Sequence, residues 1–149
     1  MCTFSSNYFN WILGLLLMSL LLQSHKSLNA NYLYFDDYTA AQGDVFELVI
    51  NLHLDEPSRG FQFDIEIPNE FNLEFAGVTA GAILNNFSVS SSNLGNGQYR
   101  FIVFSLANDI LNAGDFPVFY LPVETDVNAP AGVYSFPMTG VTISGLNNQ

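Results

Sequence analysis

The chain has 149 residues, of which 49% are hydrophobic and 15% aromatic, so it is long enough to bury a core and too apolar to be intrinsically disordered. Its 14 acidic residues outnumber its three basic ones, and the formal net charge is −11. This charge argues against nucleic acid and anionic lipid as partners, because the chain has almost nothing with which to neutralise phosphates. Partners that are neutral, basic or metal-bearing are compatible with this charge.

The first thirty residues differ in composition from the rest of the chain. Residues 11–22, WILGLLLMSLLL, carry no charge and are fewer than the ~20 residues that a membrane-spanning helix needs. The polar stretch QSHKSLNA follows and ends at Ala30, a residue that suits a signal peptidase. We therefore predict a signal peptide over residues 1–30 and one exported domain over residues 31–149. An uncleaved N-terminal anchor is the alternative.

Cleavage after residue 30 would leave a domain without cysteine, because Cys2 is the only one in the chain. Such a domain has no disulfide, thiolate metal site or thiol nucleophile, and it must be held together by packing alone. Arg59 and Arg100 would be its only Lys or Arg residues against all 14 acidic ones.

Two stretches near the start of this domain alternate between apolar and polar residues. In VFELVINLHL, residues 45–54, Phe46 and every second residue after it are apolar. In FQFDIEI, residues 61–67, four apolar residues alternate with Gln62, Asp64 and Glu66. A period of two predicts half-buried strands, each with one side in the core and one in water.

Three later stretches also predict strands. QYRFIVFS, residues 98–105, is apolar on both faces, which is typical of an interior strand. FPVFYLPVE, residues 116–124, contains two prolines that cannot donate to a sheet ladder, so we expect this strand to lie at a sheet edge or to carry a bulge. After the turn NAPAG, the segment VYSF, residues 133–136, predicts the start of the closing strand.

Turn-forming stretches separate all of these runs. They are AQGD (41–44), DEPSRG (55–60), IPNEF (67–71), NLGNG (93–97), LNAGD (111–115) and NAPAG (128–132). Short strands with turns at near-regular spacing, and no long amphipathic helix, predict an all-β sandwich or barrel.

The order and spacing of these segments resemble the cohesin domain. The matching features are the Gly43-Asp44 turn into a long strand, the apolar third strand ending at Pro68, the Gly114-Asp115 turn, and the closing Pro130-Ala131-Gly132 with Tyr134. The resemblance covers roughly residues 31–146, and more broadly the chain is similar to the cohesin and carbohydrate-binding-module superfamily. It implies a jelly-roll β-sandwich of about nine strands in two antiparallel sheets. IPNEF and the prolines of residues 116–124 depart from familiar cohesins, so the chain resembles a divergent bacterial member.

The resemblance also implies a binding surface. Cohesins present one sheet face, built from their third, fifth, sixth and eighth strands, to a helical dockerin module. Carried over to this chain, that face would contain Gln62, Asp64, Glu66, Arg100, Val118 and Tyr120. The alternation of QYRFIVFS leaves open which way Arg100 points. An apolar spot at Val118 and Tyr120 beside charged neighbours is typical of an interface core with a polar rim.

Catalysis is not predicted. Asp64 and Glu66 lie two residues apart on one strand face, and glycoside hydrolysis uses paired carboxyl groups. That chemistry also needs a cleft that holds the two carboxyl groups in different environments, whereas charged strand residues in an acidic domain are usually solvated. His53, the only histidine after residue 30, has no nucleophile or orienting group paired with it in the sequence.

Calcium is the one cofactor that the sequence leaves open. Asp109, Asn112 and Asp115 lie close together in ANDILNAGD and offer the hard oxygen ligands that calcium prefers. Their spacing does not match an EF-hand loop, and Asn, Asp and Gly are ordinary turn residues.

The sequence therefore predicts a non-catalytic, secreted or cell-surface binding module. Its expected partner is a protein such as a dockerin, held by one sheet face in extracellular polysaccharide degradation or surface assembly. Two alternatives stay open: a carbohydrate-binding module that contacts glycan directly, and a structural spacer of a surface protein. The absence of Trp after residue 30 argues against a flat crystalline-cellulose platform but not against a glycan groove lined by tyrosines.

Overall fold

Two antiparallel sheets make up the computed structural model, which describes residues 30–146. The nine strands of this range are β1 (Tyr32–Tyr34), β2 (Val45–Leu54), β3 (Ser58–Glu66), β4 (Phe71–Leu73), β5 (Thr79–Ala80), β6 (Ser88–Gly95), β7 (Gln98–Phe104), β8 (Gly114–Thr125) and β9 (Met138–Gly145). The five-stranded sheet has the order β1-β2-β8-β4, with β5 also paired to β8, and the four-stranded sheet has the order β6-β7-β3-β9. The predicted all-β sandwich of two antiparallel sheets is confirmed. The predicted signal peptide lies outside the described residues, apart from Ala30.

The core lies between the sheets and follows the predicted alternation. On β2, the side chains of Leu48, Ile50, Leu52 and Leu54 are all buried against the opposite sheet. The centre of the core is aromatic: Phe63 of β3 stacks on Phe101 of β7 at a ring-centroid distance of 5.1 Å, and Phe119 of β8 lies 4.8 Å from Phe101 and 5.9 Å from Phe63. These three rings join the two sheets.

β8 carries the predicted bulge but does not lie at a sheet edge. Its register with β2 shifts between Ile50, which pairs with Phe119, and Asn51, which pairs with Pro117, so that Val118 is the extra residue. On its other side β8 pairs with β4 and β5. Of the two alternatives that the prolines predicted, the bulge is therefore confirmed and the sheet edge is not found.

A central strand tolerates Pro122 because of a gap beside it. The carbonyl of Pro122 accepts a hydrogen bond from the Glu74 N–H, so the nitrogen of Pro122 faces the same side of the strand. On that side β4 has ended and β5 has not begun, and a 3₁₀ turn at Phe75–Gly77 fills the interval. The ladder hydrogen bond that a proline cannot donate is not required there.

The closing strand begins later than predicted. Residues 133–136 form no strand, and β9 starts at Met138. The side chains of Tyr134 and Phe136, which are two residues apart, both pack on Phe71, at ring-centroid distances of 5.2 and 5.0 Å. The following Pro137 cannot donate to a ladder. Side-chain packing therefore replaces sheet pairing in this segment.

In residues 30–146, no helix has the length and apolar character that crossing a membrane requires.

Candidate binding face

The outer face of the four-stranded sheet brings together four of the six predicted site residues. Because the side chains of Phe61, Phe63 and Ile65 enter the core, those of Gln62, Asp64 and Glu66 point outward from β3. Arg100 lies directly opposite Asp64 on β7, which settles the direction that the sequence left open.

Val118 and Tyr120 do not belong to this face, and their assignment to it is corrected. Both lie on β8, which is part of the five-stranded sheet. Val118 is completely buried because the bulge turns its side chain into the core, and Tyr120 is half-buried. Alternation within one strand shows which residues share a side, but it does not show which sheet the strand joins.

Three residues that the site prediction left out supply the centre of the face. Ile102 of β7 lies between Ser90 of β6 and Gln62 of β3, and Thr142 of β9 pairs with Gln62 on the far side. Two residues further along β7, Phe104 pairs with Gly60 of β3, and the side chain of Phe104 is 40% exposed. The signal for Ile102 and Phe104 was present in the sequence, since QYRFIVFS is apolar on both faces.

A shallow depression of about 340 Å³ lies at this apolar centre. Gly60, which has no side chain, is one of its lining residues and pairs with Phe104 and Ser144 on the neighbouring strands. Gly60 also permits a close backbone contact: a Cβ atom at this position would lie 2.3 Å from the carbonyl oxygen of Val103. The depression is lined by Arg59, Gln62, Ile102, Phe104, Thr142 and Ser144, among others.

A bidentate ion pair lies next to the apolar centre. Nε and Nη2 of Arg100 donate to Oδ1 and Oδ2 of Asp64, each at 2.7 Å. These hydrogen bonds lower the pKa of Asp64, while partial burial of the carboxyl group opposes the shift, and Asp64 raises the pKa of Arg100 in turn. Two parallel hydrogen bonds fix the positions of both side chains, so a partner would meet a preformed polar rim rather than two mobile side chains.

His53 lies on the other sheet and has a bridging role within the fold. Its Nδ1 is 2.9 Å from Oδ1 of Asp115 on β8, and its Nε2 is 3.2 Å from Oδ1 of Asp55 in the turn after β2. Tyr32 of β1 stacks on the imidazole at 4.7 Å, and the hydroxyl of Tyr34 donates to Asp115 at 3.4 Å. The histidine thus connects β1, β8 and the turn that follows β2.

We predict that the stability supplied by His53 depends on pH. The hydrogen bond with Asp115 raises the pKa of His53 above 6.5. Partial burial opposes this rise, and the contact with Asp55 adds to it. A group whose pKa is higher in the folded state than in the unfolded state stabilises the fold fully at pH values below its unfolded pKa. This stabilisation is lost as the pH rises through the pKa of the folded state. Replacing His53 with glutamine should therefore lower the urea midpoint more at pH 5 than at pH 8.5. Asn51→Gln, on the same face of β2, is the matched control. Equal losses at the two pH values would contradict the prediction.

The calcium candidates have separate partners. Asp115 contacts His53 and Tyr34, whereas Asp109 accepts a hydrogen bond from the Ser105 hydroxyl at 3.0 Å. The side chain of Asn112 is exposed. Within residues 30–146, no three His, Cys, Asp or Glu side chains are grouped so as to hold a metal ion. Calcium binding through Asp109, Asn112 and Asp115 stays an untested prediction.

Comparison with known proteins identifies the fold. No protein-family profile and no curated protein sequence matches the chain, but thirteen solved chains do match in structure. A non-cellulosomal cohesin from the archaeon Archaeoglobus fulgidus has a TM-score of 0.60 at 18% identity, over 77% of this chain and 78% of its own. The cohesin CaCohA2 from Clostridium acetobutylicum has a TM-score of 0.63 at 19% identity, over 81% and 83%.

A third neighbour is the third ScaB cohesin of R. flavefaciens, whose structure contains a bound group 1 dockerin. Its TM-score is 0.63 at 14% identity, over 82% of this chain and 86% of its own. The chain therefore has the cohesin fold, and the resemblance inferred from its motifs is confirmed at that level. Because the sequence identities to these three cohesins are below 20%, the comparison shows the fold alone. The partner and role of this chain are argued from its site.

Proposed function

We propose that this chain is an exported, non-catalytic module that docks a dockerin-like protein through the outer face of its four-stranded sheet. The observation that carries the proposal is the apolar centre at Ile102 and Phe104, beside the fixed Asp64–Arg100 pair. An apolar centre with a polar rim is the usual anatomy of a protein interface.

The dimensions of the face suit a helical partner. Four strands about 4.8 Å apart span roughly 15–20 Å, and a helix with its side chains is about 10–12 Å wide. The depression at Gly60 would accept a protruding side chain, and Gln62 and Glu66 would contribute hydrogen bonds at the rim. Charged residues that remain partly in water mainly govern the choice of partner and the rate of association.

The structural neighbours support the class of partner. Besides the R. flavefaciens complex, a cohesin–dockerin complex of OlpA from Clostridium thermocellum has a TM-score of 0.58 to this chain at 19% identity. By this analogy the module would act in extracellular polysaccharide degradation or surface assembly, after export directed by residues 1–30. The analogy rests on the fold, and binding measurements must supply the rest.

The test is a binding experiment with a panel of purified dockerins, using the chain and two arginine variants. Ile102→Arg places a charge at the centre of the proposed face, whereas Thr79→Arg places one on an exposed position of the five-stranded sheet. We expect Ile102→Arg to weaken binding by about 30-fold or more, the scale of an interface hot spot, and Thr79→Arg to have little effect.

Two outcomes would overturn the proposal. One is equal weakening by both variants, which would place the interface elsewhere. The other is binding to none of the dockerins together with saturable binding to an oligosaccharide in a parallel glycan array, which would favour a carbohydrate-binding module.

A further inference from the structure

A second and larger cavity lies at one end of the sandwich, where β2 and β4 begin and β8 ends. Its volume is about 690 Å³, within the range of roughly 300–1,000 Å³ typical of small-molecule sites. Two segments without regular structure form its walls, residues 35–42 and residues 129–136. None of its lining residues belongs to the binding face described above.

The two walls are held together by hydrogen bonds. Nε2 of Gln42 in one wall donates to the carbonyl oxygen of Ala129 in the other at 2.6 Å. The hydroxyl of Tyr134 donates to the carbonyl oxygen of Pro130 at 2.6 Å, which fixes the turn at the start of the second wall. The cavity is therefore built by specific contacts between its walls.

Six aromatic side chains line the cavity: Phe35, Tyr38, Phe46, Phe71, Tyr134 and Phe136. Each contacts at least one other ring of the set at a centroid distance between 5.0 and 6.5 Å. Four of the six are half-buried and Tyr38 is exposed, in contrast with the completely buried phenylalanines of the core. A flat apolar group that filled the cavity would remove this remaining aromatic surface from water.

Thr125 is a lining residue whose hydroxyl group is unpaired but does not open into the cavity. It is the last residue of β8, it is 6% exposed, and its fully buried Oγ1 has no hydrogen-bond partner. Its backbone is fully paired, through Gly43 N–H and the carbonyl of Asp44, so only the side chain lacks a partner. The unpaired hydroxyl therefore costs free energy in the fold and is not a contact point for a ligand.

The charges of the lining are all negative. Asp36 and Asp37 lie at the rim, and the lining contains no Lys, Arg or His. Within the described part of the chain, neither carboxylate makes a hydrogen bond or an ion pair. An anionic ligand is disfavoured here, and a cationic group at the rim would be stabilised by both carboxylates and by neighbouring aromatic rings.

We propose that this cavity binds a small organic cation: an aromatic body that carries an ammonium group at one end. The ring fills the aromatic interior, and the ammonium group meets Asp36 and Asp37 at the rim. This activity is independent of protein docking, because the two sites have no residue in common.

Three probes of nearly equal size separate the contribution of the ammonium group from that of the aromatic ring. Tyramine carries an ammonium group and a phenol hydroxyl, tyrosol replaces the ammonium with an uncharged hydroxyl, and phenethylamine keeps the ammonium but lacks the phenol hydroxyl. Ligand-observed NMR and calorimetry with the full chain at neutral pH and low salt should show saturable binding of tyramine. Phenethylamine should bind about as tightly as tyramine, and tyrosol should bind about fivefold more weakly.

Two variants locate the contact of the ammonium group. The first combines Asp36→Asn with Asp37→Asn and should remove the preference for tyramine over tyrosol. The second, Glu47→Gln, changes an exposed carboxylate of β2 that lies outside the cavity lining, and it should leave the preference unchanged.

The proposal is overturned if tyramine shows no saturable binding, or if tyrosol binds the unmodified chain as tightly as tyramine does. It is equally overturned if the variant that combines Asp36→Asn with Asp37→Asn leaves tyramine binding unchanged, or if cellobiose competes for the site while all three probes fail. Loss of dockerin binding in the Ile102→Arg variant bears only on the docking face.

Discussion

Replacing Phe63 with alanine is expected to lower the free energy of unfolding by about 3–5 kcal/mol. Phe63 is completely buried, and its ring lies within 6.4 Å of the rings of Phe61, Phe101 and Phe119. The substitution removes contacts with both sheets at once and leaves a cavity that stiff strand backbones cannot close. With no disulfide in the described residues, the core has only packing to hold it together.

Urea denaturation followed by circular dichroism measures this loss. Phe104→Ala is the matched control, because Phe104 also lies on a strand of the four-stranded sheet but points outward and is 40% exposed. Its loss should be about 1 kcal/mol or less. Similar losses for the two variants would mean that the aromatic centre of the core has been wrongly placed.

Replacing Gly60 with alanine is expected to cost about 2–3 kcal/mol, although it adds one methyl group. A Cβ atom at this position would lie 2.3 Å from the carbonyl oxygen of Val103 and 3.1 Å from the Cα of Phe104. Both are backbone atoms of the paired strand β7, so relief requires the strands to separate. Such a movement would also alter the depression at the centre of the binding face.

Gly145→Ala is the control for this effect. Gly145 lies on the neighbouring strand β9, and a Cβ atom there would meet nothing within 4 Å. Its substitution should change the denaturation midpoint little, and removing a flexible glycine tends to stabilise the folded state. A Gly60→Ala variant as stable as Gly145→Ala would show that β3 and β7 are not as close as the structure has them.

The sequence was sufficient to predict the strands and most of the core. The alternation in residues 45–54 and 61–67 marked the core side of β2 and β3, and QYRFIVFS was recognised as interior because both of its faces are apolar. The prolines of residues 116–124 predicted either a sheet edge or a bulge, and the structure has the bulge, at Val118. They did not predict a central strand, because the gap between β4 and β5 that accommodates Pro122 depends on a turn more than forty residues earlier.

The binding face was only partly predictable. Gln62, Asp64, Glu66 and Arg100 follow from alternation and from the pairing of β3 with β7. Val118 and Tyr120 were misplaced because sheet membership is a property of the whole topology. Ile102 and Phe104, which form the apolar centre, were visible in the sequence but were interpreted only as the mark of an interior strand.

The end cavity was not predicted at all. Its second wall, residues 129–136, was expected to lead into a strand that would pair with a sheet. Instead the side chains of Tyr134 and Phe136 pack on Phe71, and this choice between sheet pairing and ring packing is made by residues that are distant in the sequence. Local propensity does not contain that information.

The most direct test of the docking proposal is a methyl NMR titration of the full chain with a dockerin that binds it. The account predicts that the methyl resonances of Ile102 and Thr142, on the outer face of the four-stranded sheet, shift in proportion to complex formed, while those of Val49 and Thr79 on the other sheet stay in place. Shifts confined to Val49 and Thr79, with Ile102 and Thr142 unmoved, would contradict it.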